Sequence, residues 1–206
     1  MTDYVALAQE LAKQIQPGAA ERDAQRILPH AQLDWIRNAG LGAARVPSEL
    51  GGGDVSMREV AQIFIALGKA DPCVAQALFP HFATVEHLRL IANPEQQQRY
   101  LGAFTRQQLS SGAIAERSGK FRGDIHTRLS RDDQGLVLDG EKFYSTGCLF
   151  ADLIKVQAVD EDGAAVYVFL PANAPGVDMF DDWDGMGQRT TASGPARLTG
   201  VPVQPE

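Results

Sequence analysis

The groups that could do chemistry in this chain are few, and their spacing limits the kind. His81 stands in the most unusual setting. Val74, Leu78, His81, Val85 and Leu88 follow one another at steps of 4, 3, 4 and 3, the repeat of a single helical face. The imidazole therefore points the same way as four aliphatic side chains. Pro80 removes a backbone donor and crowds the carbonyl one turn back, which predicts a kink. Two readings follow from the spacing: a core histidine bonded to the carbonyl freed at or near Gln76, or an imidazole aimed into a cleft. His30, His87 and His126 have no ligand-like spacing, so no zinc site is expected. Gly51-Gly52-Gly53 lacks the lysine and hydroxyl residue of a P-loop and is read as a flexible turn. No G-x-S-x-G elbow or Ser/His/Asp arrangement occurs. Four aspartates between Asp178 and Asp184 are interrupted by Trp183 and read as a solvated loop.

The elements that must position these groups change character near the middle of the chain. Up to about Gln108 apolar residues recur at helical spacing. Val5, Leu7, Leu11 and Ile15 begin a first helix, stopped by Pro17-Gly18. Ile27, Leu28, Leu33 and Ile36 mark a second, with Pro29 as a kink or restart. Ser56 and Glu59 form a capping box ahead of the stripe Met57, Val60, Phe64 and Leu67. Asp71-Pro72 and Asn93-Pro94 each read as an N-cap followed by proline at the first helical position. After Leu109, Leu136–Leu138, Phe143–Thr146, Ile154–Val156 and Val166–Leu170 favour strands. Asp139-Gly140 reads as a tight turn between two of them. The expected fold is α+β in two domains: an all-helical domain over 1–108 and an antiparallel β-barrel or sandwich over 109–206.

Composition excludes other classes. With 19 basic and 26 acidic residues the formal charge is −7, the wrong sign for nucleic acid. Asp3, Glu10 and Lys13 interrupt the first apolar segment, so neither a signal peptide nor a membrane anchor is expected. Two cysteines without a CxxC fit free thiols in a reducing compartment, hence a cytoplasmic protein.

Several segments read together say more. Gly40-Leu41 leads to Val46-Pro47-Ser48-Glu49-Leu50-Gly51-Gly52-Gly53, and Ala70-Asp71-Pro72 opens the next long helix. Ala113-Ile114-Ala115-Glu116 stands where the β region begins. Gly140-Glu141-Lys142-Phe143-Tyr144-Ser145-Thr146-Gly147 is followed by Ala151-Asp152. Trp183-Asp184-Gly185-Met186-Gly187-Gln188-Arg189-Thr190-Thr191-Ala192-Ser193-Gly194 completes the set. In order and spacing, from about Leu28 onward, these segments resemble the acyl-CoA dehydrogenase superfamily. Within it they are most like the reduced-flavin-dependent monooxygenases of sulfur acquisition, the dibenzothiophene and sulfone monooxygenase type.

The resemblance implies a helical N-terminal domain, a middle β-barrel and a flavin against the barrel: FMN delivered reduced by a separate flavin reductase, or FAD in the dehydrogenase alternative. Tyr144 takes the place of the family's flavin-stacking tryptophan, and Thr146 that of the hydroxyl residue near flavin N5. Ile114 and Ala115 match backbone positions along the flavin edge. Dehydrogenases usually carry threonine at Ala115 and proline at Arg117, a departure that favours the monooxygenase branch. His81 matches a pocket histidine that would donate a hydrogen bond in catalysis, Trp183 a pocket-side tryptophan, and Arg189 a phosphate or carboxylate partner. The implied activity is O2-dependent oxygenation of an organosulfur or similar small apolar substrate. The alternatives are an FAD-dependent acyl-CoA dehydrogenase and a truncated, non-catalytic partner-binding module. Family members continue into a C-terminal helical bundle and assemble as homo-oligomers. This sequence ends at Val201–Glu206, where the linker to that bundle is expected, so the resemblance implies a fragment without the C-terminal bundle, incomplete and inactive by itself.

Overall fold

The computed structural model describes residues 2–117 and 124–204; Pro205 and Glu206 of the final segment lie outside the described residues. Two units divide the chain: Met1–Leu109 with Asp184–Thr191, and Ser110–Trp183 with Ala192–Glu206.

The first unit is helical. Helix α1 (Tyr4–Ile15) starts where the Asp3 side chain accepts from the Ala6 N–H and buries Ala8, Leu11 and Ile15. Helices α2 (Ala19–Gln25) and α3 (His30–Asn38) flank Pro29, which is the N-cap of α3, so the proline restarts the chain in a new helix. Ile27 and Leu28 fall between the two, and α2 is an element that apolar periodicity did not reveal. The Ser56–Glu59 capping box opens α4 (Met57–Ala70), which buries Val60, Ile63, Leu67 and Ala70. Met57 lies off that stripe, 56 % exposed. Helix α5 (Pro72–Ile91) begins under Asp71, whose carboxylate accepts from the Cys73 and Val74 N–H groups, and continues as α-helix past Pro80. Helix α6 (Pro94–Phe104) carries a second capping box, Asn93 with Gln96.

Gly51–Gly53 is a packed passage instead of a free hinge. A Cβ on Gly52 would fall 2.1 Å from the Val46 carbonyl oxygen, and the Gly53 N–H donates to the Ala43 carbonyl. The glycines are needed because the chain returns against its own backbone.

Among the described residues, the second unit is a seven-stranded sheet of β1 (Ser110–Ala113), β2 (Arg128–Asp132), β3 (Gly135–Lys142), β4 (Leu153–Val159), β5 (Ala165–Pro171), β6 (Val177–Met179) and β7 (Ala196–Val203). Pairings β2/β3, β3/β7, β6/β7 and β4/β5 are antiparallel. The α+β class holds, with one difference: β4 takes β1 as a parallel partner and meets β2 in parallel at Arg128–Val159. Asp139-Gly140 is no turn. It lies inside β3, where the register against β7 shifts between Leu138 and Gly140, a bulge that bends the strand. Leu138, Ile154, Val156, Ala158, Leu170, Leu198 and Val201 form the core on one face.

Phe143–Thr146 is not a strand either. Regular pairing of β3 ends at Lys142, and only Phe143 makes an isolated bridge, to Ala115. Tyr144 turns into the left-handed region at φ 56°. Aromatic and β-branched content favours extended chain, but the non-local partners of this segment decide otherwise.

Candidate functional site

The departure from strand geometry after β3 builds the most chemically distinctive surface of the second unit. The Phe143 N–H donates to the Ala115 carbonyl at 2.8 Å, and the Ser145 N–H to the Gly194 carbonyl at 3.0 Å. Held from both sides, Tyr144 adopts a backbone conformation that costs a non-glycine residue roughly 1–2 kcal/mol. The turn throws its ring outward, 50 % exposed. Trp183 meets that ring edge-on, with centroids 6.2 Å apart. The Arg117 guanidinium lies 4.4 Å from the Phe143 centroid and 5.1 Å from that of Tyr144. Beside this turn, Ile114 and Ala115 are exposed.

Hydroxyls line the inner side of the turn. Thr146 Oγ1 lies 2.7 Å from Ser193 Oγ and 3.4 Å from the Tyr144 carbonyl. Ser111 Oγ donates to the Thr146 carbonyl at 2.5 Å. Ser145 Oγ is buried with no hydrogen-bond partner among the described residues. Burial pushes the Cys148 thiol up to about 12, against the lowering effect of a hydrogen bond with Ser111, so this cysteine is no nucleophile at neutral pH.

Beneath Ile114 and Ala115 lies a buried ion pair. Lys142 Nζ donates to Glu116 Oε1 at 2.5 Å and to the Ile114 carbonyl at 3.3 Å. Glu116 also accepts from the Thr127 hydroxyl and from the Thr127 and His126 N–H groups. Burial acts to raise the Glu116 carboxyl, but the hydrogen bonds from Lys142, Thr127 and His126 outweigh it and hold it below the usual carboxylate range. Burial lowers Lys142 in spite of its partner.

Tyr144, Thr146, Ile114, Ala115 and Trp183 thus belong to one unit, and Tyr144 and Trp183 are in ring contact. His81 and Arg189 belong to the other. The stripe Val74, Leu78, His81, Val85 and Leu88 is buried throughout, His81 at 1 % exposure. Its Nε2 lies 2.9 Å from the Gly42 carbonyl, which can only accept, so Nε2 carries the proton in this bond. The Phe104 and Phe82 rings meet the imidazole edge-on at 4.6 and 5.7 Å. Arg189 Nε donates to the Asp23 carbonyl at 3.0 Å. The helical unit also has an apolar cavity of about 440 Å³ lined by Met57, Phe64, Phe79 and Phe82. Its charged lining residues, Arg45 and Glu86, are paired with each other.

Residue spacing missed Ser193, Ser111 and the Glu116–Lys142 pair as site residues. Glu116 and Lys142 were visible only as letters of two motifs 26 residues apart. Nothing local in the sequence announces that they meet.

The acyl-CoA dehydrogenase N-terminal domain model matches residues 5–108. The probable FMNH2-dependent monooxygenase SfnC of Pseudomonas putida is 27% identical over 97% of this chain and 50% of its own length. A dibenzothiophene monooxygenase of Mycolicibacterium goodii is 28% identical over 99% of this chain and 51% of its own. Among solved structures, FMN-bound TdsC from Paenibacillus sp. A11-2 superposes with a TM-score of 0.89 at 28% identity, covering 99% of this chain and 52% of that one. The chain spans about half the length of the relatives it matches.

Proposed function

Because this chain belongs to the acyl-CoA dehydrogenase superfamily, we propose that it works as a flavin-dependent monooxygenase, using reduced FMN and O2 on an organosulfur or similar small apolar compound. One observation carries the reading: the left-handed turn at Tyr144, which sets a half-exposed ring, the Thr146 hydroxyl and the exposed Ile114–Ala115 backbone together in one unit. A flat heteroaromatic ring fits such a surface: an aromatic face to stack on, a hydroxyl that can give or take a proton, and backbone edges. The fit is supported by the buried Ser145 hydroxyl between Tyr144 and Thr146, which has no partner among the described residues, and by the similarity to FMN-bound TdsC.

In this reading Tyr144 stacks on the ring, Thr146 addresses its N5, and Ile114 and Ala115 run along its edge. Trp183 closes the pocket beside Tyr144, and Arg189 binds an anionic group of cofactor or substrate. His81 is the proposed catalytic donor. In the folded chain its Nε2–H is given to the Gly42 carbonyl, so the role requires the ring to release that bond. Bound reduced FMN supplies the electrons that activate O2. A flavin reductase is the proposed partner, the assembly a homo-oligomer, and the compartment the cytoplasm, which two buried free thiols suit.

The test is to join the chain to the C-terminal part that its relatives carry beyond the matched half, supply reduced FMN, O2 and an alkyl or aryl sulfone, and look for oxygenated product by mass spectrometry. Butyryl-CoA with an electron acceptor is the parallel arm. Oxygenated sulfone without thioester oxidation is the expected result. Oxidation of the thioester would establish the FAD-dependent dehydrogenase alternative instead.

A further inference from the structure

The geometry points to Ser193 as a positioning residue that lets the Thr146 hydroxyl both give and take a hydrogen bond at a bound flavin. The inference rests on the reading that the Tyr144–Thr146 surface takes that cofactor. A threonine hydroxyl has one proton and two acceptor sites. Among the described residues the Thr146 proton has two destinations: Ser193 Oγ at 2.7 Å and the Tyr144 carbonyl at 3.4 Å, near the limit of a useful bond. When Ser193 donates, the Thr146 proton is released outward. When Ser193 accepts, Thr146 turns a lone pair outward. Because either hydroxyl of the pair can be the donor, two proton arrangements share one heavy-atom geometry.

That geometry is fixed by its surroundings. The Ser111 hydroxyl holds the Thr146 carbonyl, and the Ser145 N–H holds the Gly194 carbonyl. Gly194 lies so close to the residue that follows β6 that a Cβ there would fall 2.0 Å from the Phe180 carbonyl oxygen, which pins the chain next to Ser193. Ser193 itself is 7 % exposed. The hydroxyl protons are left as the movable parts. A flavin ring nitrogen that accepts when oxidised and carries N–H when reduced requires the opposite partner in each state. A hydroxyl backed by a second hydroxyl supplies both without moving the chain.

Removing Ser193 acts unequally on the two states. Where Thr146 must donate outward, it loses only a bond to its lone pair. Where Thr146 must accept, its own proton loses a strong acceptor and falls back on the distant Tyr144 carbonyl. The experiment measures dissociation constants for oxidised FMN and, anaerobically, for reduced FMN, with the full chain, Ser193→Ala and Ser193→Thr. Ser193→Ala is expected to weaken reduced FMN about 3- to 10-fold more than oxidised FMN, the worth of one neutral hydrogen bond. Ser193→Thr keeps a hydroxyl and is expected to restore the wild-type ratio. If Ser193→Ala does not fold, Ser193→Cys, a weaker donor and acceptor, is expected to give a smaller shift of the same sign. An unchanged ratio, or equal weakening of both forms with a lower Tm, marks a merely structural serine and overturns the proposal. Failure of the wild-type chain to bind either form overturns the flavin reading itself, and the proposal with it.

Discussion

Among the described residues each unit buries one ion pair, and the two pairs differ in what they hold. In the helical unit Arg22 Nη2 meets Asp71 at 2.9 Å, and the same guanidinium donates to the Ile15 and Pro17 carbonyls. Asp71 meanwhile caps α5 through its other oxygen. The pair joins the end of α1, α2 and the α4–α5 junction, and each of its partners is a structural group. In the β unit Lys142 and Glu116 meet at 2.5 Å, and the same lysine holds the Ile114 carbonyl behind the exposed Ile114–Ala115 edge. The same chemistry therefore supports a helix junction in one unit and a candidate cofactor surface in the other. Burial of a charged pair says little by itself about function; what its remaining hydrogen bonds hold says more.

The comparison breaks most sharply at Lys142. Lys142→Met leaves Glu116 buried without its cation and should destabilise the β unit by about 3–5 kcal/mol, read by urea unfolding. It should also weaken FMN binding in whatever fraction stays folded. Arg22→Met leaves Asp71 buried without its cation in the same way and should cost a similar amount, about 3–5 kcal/mol, read as unfolding of the helical unit. Its signature is a lower unfolding midpoint with the affinity of the folded chain for FMN unchanged. Loss of FMN affinity in the Arg22 variant would erase the distinction between the pairs.

Acid sharpens the same contrast. Glu116 is held low in the folded chain, so the unfolded chain binds more protons as pH falls through the unfolded carboxylate range near 4.3. Its contribution is thus complete above that range and lost as pH drops through the folded value. Lys142 is also lowered, so stability should rise with pH on approach to the ordinary lysine range. Stability curves against pH for the wild type and Glu116→Gln should differ in acid slope. Overlapping curves would show that Glu116 is not held as described. The smallest expected effect is Ser56→Ala, which removes one side of the α4 capping box for about 1 kcal/mol, seen as a modest fall in Tm without change in FMN affinity.

Legibility followed sequence distance. The capping box of Ser56 with Glu59 and the caps at Asp71 and Asn93 could be read because their partners lie within three residues. The buried face of α5 was equally plain, since the helical repeat alone defines it. Phe143–Thr146 was misread because the carbonyls that bend it belong to Ala115 and Gly194, and no local propensity encodes them. The parallel β1/β4 pairing joins residues some forty positions apart, across a segment of strand-forming composition that suggested antiparallel neighbours throughout. Tyr144 and Thr146 were found through motif resemblance. Ser193, whose partner is 47 residues away, needed coordinates.

The Tyr144 turn is the surface proposed to take a flavin. Titrating FMN with the wild-type chain and with Tyr144→Ala, followed by flavin fluorescence, tests it most directly. The expected result is saturable binding of one FMN per chain, weakened on the order of 10-fold or more when the stacking ring is removed, with the unfolding midpoint of the variant little changed, because alanine keeps the Cβ and with it the left-handed strain. Equal affinity in both proteins, or no saturable binding by the wild type, would contradict it.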